Sequence, residues 1–258
     1  MVLLAVVAGL LIGASLGALG GGGSILTVPA LVYLLGQSAH QATTASLMVV
    51  GTAAAVGALV HARGGRVRLK AGATFGILGI AGSYAGSRAS AAVPAKVLLA
   101  GFGLLMLAVA VLMILRRRGQ ARRVPGAAAA SGARRAVLVA AAATGVGLIT
   151  GFFGVGGGFV VVPALVLVLG FDMPTAAGTS LVVIAVNSAT ALAARAGHGS
   201  LTLDWALIGV FTGAAVIGAL AGGSLAGRAN PQRLSAAFTL LVILVAGYTL
   251  TRSLPGLA

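Results

Sequence analysis

Gly17-Ala-Leu-Gly-Gly-Gly-Gly-Ser-Ile-Leu-Thr-Val-Pro-Ala-Leu31 returns 134 residues later as Gly151-Phe-Phe-Gly-Val-Gly-Gly-Gly-Phe-Val-Val-Val-Pro-Ala-Leu165. Each copy is a glycine cluster followed by a short apolar run that contains a proline. Over positions 17–50, at that fixed offset, 15 of 34 residues are identical, among them the proline and five glycines. Shared apolar composition alone does not produce that match. The chain therefore reads as two copies of one unit: residues 1–115, a basic linker over 116–135 that holds seven arginines, and residues 136–258.

Hydrophobic residues make up 59% of the 258, charged residues 7%, and the mean hydropathy is +1.13. Soluble domains average about half apolar and a quarter charged, so this composition specifies an integral membrane protein whose principal partner is the lipid bilayer. The first twenty residues could pass for a secretory signal. They lack a basic start, and their counterpart lies mid-chain, so they are read as a permanent part of the fold. The net charge of +15 would suggest nucleic acid in a soluble protein. In this chain the Lys and Arg lie between apolar segments with no aromatic-basic surface beside them, so they are read as topology signals, through the positive-inside bias, and no nucleic-acid partner is expected.

There is no cysteine, which excludes disulfides and thiolate chemistry. Asp172 and Asp204 are the only acids, and His40, His61 and His198 the only histidines. That inventory is too small for paired-carboxylate catalysis or a carboxylate metal cage, so neither an enzyme, a metal site nor a cofactor is expected.

A crossing of the ~30 Å hydrocarbon core takes about 20 residues at 1.5 Å each. Met1 to Leu19 meets this, whereas Ser24 to Gly36 falls short and reads as a broken or re-entrant helix kinked at Pro29. Ala42–Val60, Leu69–Gly86 and a segment ending at Leu115 follow, with Gly72/Gly76 and Gly82/Gly86 at the four-residue spacing of close helix packing. The second copy runs from Ala136 through a short element at Phe159–Gly170, then Pro174–Ala194, Leu203–Gly227 and Arg233–Leu250. The expected fold is an all-α polytopic membrane protein of about 8–10 hydrophobic segments in two internal repeats with short broken or re-entrant helices. If every segment crosses, the halves are inverted; if the short ones are re-entrant, they are parallel. Either arrangement puts 13 of the 17 Lys and Arg on one side, so charge does not choose between them. Both put the 63–70 loop and the 116–135 linker in the cytoplasm.

Glycine lets backbone amides approach a ligand closely, and amides opening a helix favour anions. In repeat-built transporters, broken helices meet near the midplane with such ends toward anionic groups. The candidate substrate site is thus the two bends, Gly20, Gly21, Gly22 and Gly23 with Gly154, Gly156, Gly157 and Gly158, holding a small anion. Without the duplication, tight turns and close helix crossings explain the glycines equally well; no lysine follows them as a phosphate loop requires. Ser24 adds a hydroxyl donor or an N-cap. Thr43, Thr44, Ser46, Thr179 and Ser180 open the next helix of each half and either complete the anion's shell or cap and bridge helices; Ser46 and Ser180 occupy equivalent positions. Asn187, two turns past Ser180, serves the site or an interhelical hydrogen bond. His40 is either a proton carrier or an interfacial loop residue. Asp204 and Trp205 read as the anchored start of a helix.

Two units, Gly-x-Gly-Gly-Ser-x-x-x-Val-Pro-Ala-Leu at Gly20 to Leu31 and Gly-x-Gly-Gly-Gly-x-x-x-Val-Pro-Ala-Leu at Gly154 to Leu165, each precede a helix that opens with Thr and Ser. With the basic central linker they resemble the TauE/SafE family of sulfite and organosulfonate exporters over nearly the whole chain. The resemblance implies a carrier in the bacterial inner membrane for sulfite, sulfoacetate or a related small sulfur anion, working by alternating access. Basic cytoplasmic loops would concentrate anions on that side, in keeping with export. A passive anion channel and a non-transporting membrane scaffold are the alternatives. Ser24 stands where the second copy has Gly158, and Gly21 where it has Val155, so the two bends are not expected to be equivalent.

Overall fold

The computed structural model describes residues 2–119, 132–154, 158–195, 203–226 and 230–253. Among them there is no strand. The helices are α1 (Val2–Leu19), α2 (Ser24–Pro29), α3 (Ala39–Arg63), α4 (Leu69–Ser90), α5 (Ala95–Gly119), α6 (Gly132–Phe153), α7 (Gly158–Val168), α8 (Met173–Arg195), α9 (Trp205–Ala226) and α10 (Pro231–Ser253). A 3-10 turn, Gly20–Gly23, joins α1 to α2, and a π turn, Ala30–Leu34, follows α2 directly. The run Val2–Leu34, α3, α6, α8 and α9 are long and apolar enough to cross a membrane, and α5 and α10 hold shorter apolar stretches, Val97–Leu112 and Ala236–Tyr248. The protein is an all-helical, multi-pass membrane protein.

Glycine conformation sets the punctuation. Gly20 and Gly154 open the bends at φ +65° and +63°, and Gly36 and Gly170 close the short elements at φ +67° and +71°. A side chain makes that left-handed region costly, by roughly 1–2 kcal/mol per residue. The members of each pair are 134 residues apart. Pro29 has no N–H to give the α-helical ladder, and the helix passes at that point into the wider π turn. α7 has 11 residues, roughly 16 Å of rise, and is shorter than a crossing.

The segment expected from Ala42 begins three residues earlier. Ser38 and Gln41 form a capping box: the Gln41 N–H donates to Ser38 Oγ at 3.3 Å, and the Ser38 N–H to Gln41 Oε1 at 3.2 Å. Ser38→Ala is expected to cost about 1 kcal/mol, read as faster amide exchange over the first turn of α3 and a small drop in melting temperature. Helix α5 continues to Gly119 and α6 begins at Gly132, so both ends of the 116–135 stretch are helical; 120–131 lie outside the described residues.

Helix directions follow from facing residues. Gly51 faces Ser188 while Gly57 faces Leu181, so α3 and α8 run antiparallel. Gly9 faces Phe211 and Gly17 faces Ala219, so α1 runs parallel to α9; α6 likewise runs parallel to α4, with Gly147 at Gly79 and Gly151 at Ser83. Gly223 lies against His61, and Gly57 against Ala219, which makes α3 parallel to α9. Gly72 lies at Thr179 and Gly79 at Asn187, so α4 runs parallel to α8; α1 and α3 therefore point one way and α6 and α8 the other. These opposed directions are the ones expected of the inverted arrangement.

The first helix of each half packs on the fourth helix of the other: α1 on α9, α6 on α4. Helices α3 and α8 cross at the centre, and α5 pairs with α10. The α1–α9 and α4–α6 contacts are backbone against backbone. A Cβ at Gly13 or Gly17 would run into the Ala215 or Ala219 carbonyl, and one at Gly218 or Gly222 into Leu10 or Ala14; Gly82, Gly86, Gly147 and Gly151 repeat the arrangement in the other pair. Such small-residue seams let helices approach where lipid offers no hydrophobic drive between them. Gly72 and Gly76 meet the Thr179, Val182 and Val186 side chains of α8 instead. Large apolar side chains such as Leu11, Ile77, Ile217 and Leu244 are exposed on the periphery, where lipid would cover them.

Candidate functional site

The two glycine bends meet. Gly20 to Gly23 are all buried, and Gly21 lies so close to Gly158 that a Cβ on either would strike the other's backbone. Gly23 turns back against Ile12 and Leu16 of α1. Gly156 and Gly157 lie outside the described residues, as do Val155 and His198.

Each bend is met by a serine of the opposite half. Ser46 Oγ donates to the Gly154 carbonyl and is also 3.1 Å from Thr43 O. Its equivalent, Ser180, donates to Ala177 O at 2.7 Å and sits against Gly20, where a Cβ would come 2.5 Å from Ser180 Oγ. Both serines are fully buried. These two, singled out in the sequence for their equivalent positions, are brought to the bends.

Ser24 is the first residue of α2, whose N-cap is Gly23, and its Oγ donates back to Gly21 O at 2.7 Å, within the first bend. The remaining candidates are engaged elsewhere. Thr179 Oγ1 accepts the Arg68 N–H at 3.1 Å, tying the 64–68 loop to α8. Asn187 points at Gly79 of α4, away from the α3 face; it is fully buried, and neither its Oδ1 nor its Nδ2 has a partner. Its neighbour Ser188 is also buried with an unpartnered Oγ, and lines a cavity of about 450 Å³ between α3 and α8 together with Gly51, Thr52 and Ala185. Unpaired buried polar groups are rare because each costs a desolvation penalty, so Ser188 marks polar demand at the α3–α8 crossing and Asn187 at the α4–α8 contact.

Sequence reasoning missed Arg195. An arginine ending an apolar segment reads as a topology charge, yet its guanidinium turns inward at the end of α8. Nε donates to Ser87 Oγ at 2.9 Å, Nη1 to Thr43 Oγ1 and Thr44 Oγ1 at 3.0 Å each, and Nη2 to Ser90 Oγ at 3.2 Å and Gly151 O at 3.1 Å. A cavity of about 130 Å³ adjoins it, reached also by His40 and Ala91. The sequence signal was present: 134 residues before Arg195 stands His61, whose Nε2 donates to Gly17 O at 2.7 Å as Arg195 does to Gly151 O, and Gly17 and Gly151 are themselves 134 apart. Asp204 caps α9 by accepting the Leu207 N–H at 3.0 Å, and Trp205 is exposed, as expected of an anchored helix start.

Interleaved helices of opposite direction about apposed glycine bends, with hydroxyls and a guanidinium turned inward, make a polytopic membrane protein with a buried polar centre. Residues 5–249 match the family described as Sulfite exporter TauE/SafE, and the chain belongs to that family of membrane transporters. Two relatives from Xylella fastidiosa, strains 9a5c and Temecula1, are similar to it: each is described as a probable membrane transporter protein and is 33% identical, over 246 and 251 residues, covering 94% of this chain and 92% of the relative. No solved structure matches.

Proposed function

We propose that the protein is a secondary carrier of small sulfur oxyanions, sulfite or an organosulfonate, that moves its solute past the paired bends by alternating access. The observation that carries this reading is the closure of Gly21 on Gly158, with Ser46 and Ser180 each set against the bend of the opposite half. Central groups contributed crosswise by oppositely directed halves form an element that opens toward one face as it closes toward the other. The first amides of a helix lack an acceptor within it, and those of Gly21 to Gly23 are the donors for the solute, with the serine hydroxyls beside them. Gly158, which opens α7, is the matching group of the second half. Contact between the two backbones has to break for a solute to pass, which favours a carrier over an open pore.

The α4, α6 and α8 starts share one end of the bundle. The connections there and the helix ends beside them carry thirteen of the seventeen Lys and Arg, so that end, with the 116–135 linker, is cytoplasmic in a bacterial inner membrane, and export is the direction that the attraction of anions to it supports.

Purified protein in liposomes is expected to release loaded sulfite with saturable kinetics, and the Ser46→Ala/Ser180→Ala double variant to need about tenfold more sulfite for half-maximal flux, the scale of losing two neutral hydrogen bonds. Flux that grows linearly with concentration would make the protein a channel. Absence of flux for sulfite and sulfonates alike would make it a scaffold.

A further inference from the structure

Among the described residues Arg195 is a cation without a counter-ion. The chain has two acids; Asp204 caps α9, and Asp172 accepts the Thr175 N–H at the opposite end of α8. All five guanidinium N–H groups go instead to neutral oxygens, four hydroxyls and one carbonyl, drawn from α3, α4 and α6. Holding a partly buried charge on neutral acceptors alone is expensive, and the fold does not demand it. At the pseudo-equivalent place in the other half, His61 binds Gly17 O beside Gly178 and Gly223. There Ala177 and Gly178 stand for Thr43 and Thr44 at an offset of 134, and Gly223 and Ala226 for Ser87 and Ser90 at an offset of 136. The same packing is thus achieved on that side with neither an arginine nor a hydroxyl.

We propose that Arg195 with Thr43, Thr44, Ser87 and Ser90 is a docking site for the oxyanion head of a soluble SO3-type solute, at the end of the bundle opposite the basic connections. The planar fork of an arginine matches two oxygens of such a group. The hydroxyl protons now go to carbonyls: Thr43 and Thr44 to His40 O, Ser87 to Ala191 O, Ser90 to Ser87 O. A hydroxyl both donates and accepts, so when oxyanion oxygens take over guanidinium N–H groups, the freed hydroxyls rotate and donate to the anion as well. The adjoining cavity of about 130 Å³ provides the room. This inference rests on the reading of the protein as an anion carrier and gives that carrier a one-sided site, since the His61 end has no equivalent cradle.

The test is a thermal-shift titration in maltoside detergent with sodium sulfite and sodium methanesulfonate, beside a phosphatidylglycerol titration. Both soluble anions are expected to raise the melting temperature of the wild type saturably. Arg195→Gln should weaken that response at least tenfold, and Arg195→Lys should weaken it less, because it keeps the charge and loses the fork. Baseline melting alone reports the structural role, so the readout is the anion-dependent increment. Should Arg195→Gln fail to fold, Thr44→Val/Ser90→Ala, which keeps the guanidinium, is expected to weaken the response about three- to tenfold. An unchanged increment in these variants overturns the proposal, as does a response to the lipid alone. Saturable liposome flux with an unaltered increment in Arg195→Gln would sink the docking site and leave the carrier standing; an Arg195-dependent increment without flux would do the reverse.

Discussion

Gly147→Val is expected to destroy the folded protein, whereas Gly145→Val, two residues away on the same helix, leaves it intact. A Cβ at Gly147 runs into the Gly79 carbonyl of α4, and Gly79 has no room to retreat, since a Cβ there would come 2.9 Å from Asn187 Oδ1. At Gly145 nothing lies within 4 Å of the position a Cβ would take. Overpacking of side chains costs about 1–3 kcal/mol because neighbours change rotamer. At Gly147 the obstacle is backbone in a neighbouring helix, and the seam continues through Gly82, Gly86 and Gly151, so the penalty is about 3 kcal/mol or more, a large part of a typical stability of about 5–15 kcal/mol. Gly145→Val should fall within about 0.5 kcal/mol of wild type. Monodisperse yield and melting temperature on size exclusion in detergent measure both; a well-behaved Gly147→Val protein would mean that the α4–α6 seam is looser than described.

Gly21→Ala is expected to force the two bends apart and lose transport, with sulfite flux per monodisperse protein at least about a hundredfold below wild type. Gly21 is not among the left-handed glycines, so alanine meets no conformational objection there. The nearest atoms its methyl group would meet are all backbone of Gly158. The substitution therefore acts on the contact between the bends, away from the seams of the bundle, which lie on other helices. Gly36→Ala is the contrast: φ is +67° with nothing within 4 Å, so it costs roughly 1–2 kcal/mol of stability through backbone strain and leaves flux largely in place. Normal flux in Gly21→Ala would remove the meeting of the bends from the mechanism.

Much of this fold is legible in the sequence because glycine and proline punctuate it. The bends at Gly20 and Gly154, the shortened elements after them and most helix bounds, α8 and α9 among them, follow from local pattern. What local pattern leaves out is which helix meets which. Gly17 and Ala219 are 202 positions apart, and no periodicity in α1 points to α9. The site divides the same way. Ser46 and Ser180 reach the bends because equivalence in a duplicated chain is a spatial signal. Thr179 looks as suitable but faces the 64–68 loop, since a helix offers each residue one direction and the neighbour in that direction is set by tertiary packing. Arg195 escaped for a related reason: its partners at Thr43, Thr44, Ser87, Ser90 and Gly151 come from three helices that only the crosswise packing brings together.

The exchange of first helices between the halves also bears on biogenesis. During synthesis α1 leaves the ribosome with its glycine face bare, and its mate α9 emerges about 200 residues later, some 10–40 s at ordinary elongation speeds. For that interval the glycine seam of α1 has only its own half to pack on, and α6 reaches the already synthesised α4 before α9 exists. Severing the polypeptide between α5 and α6 should accordingly yield two fragments that are each unstable alone yet reassemble when made in the same cell.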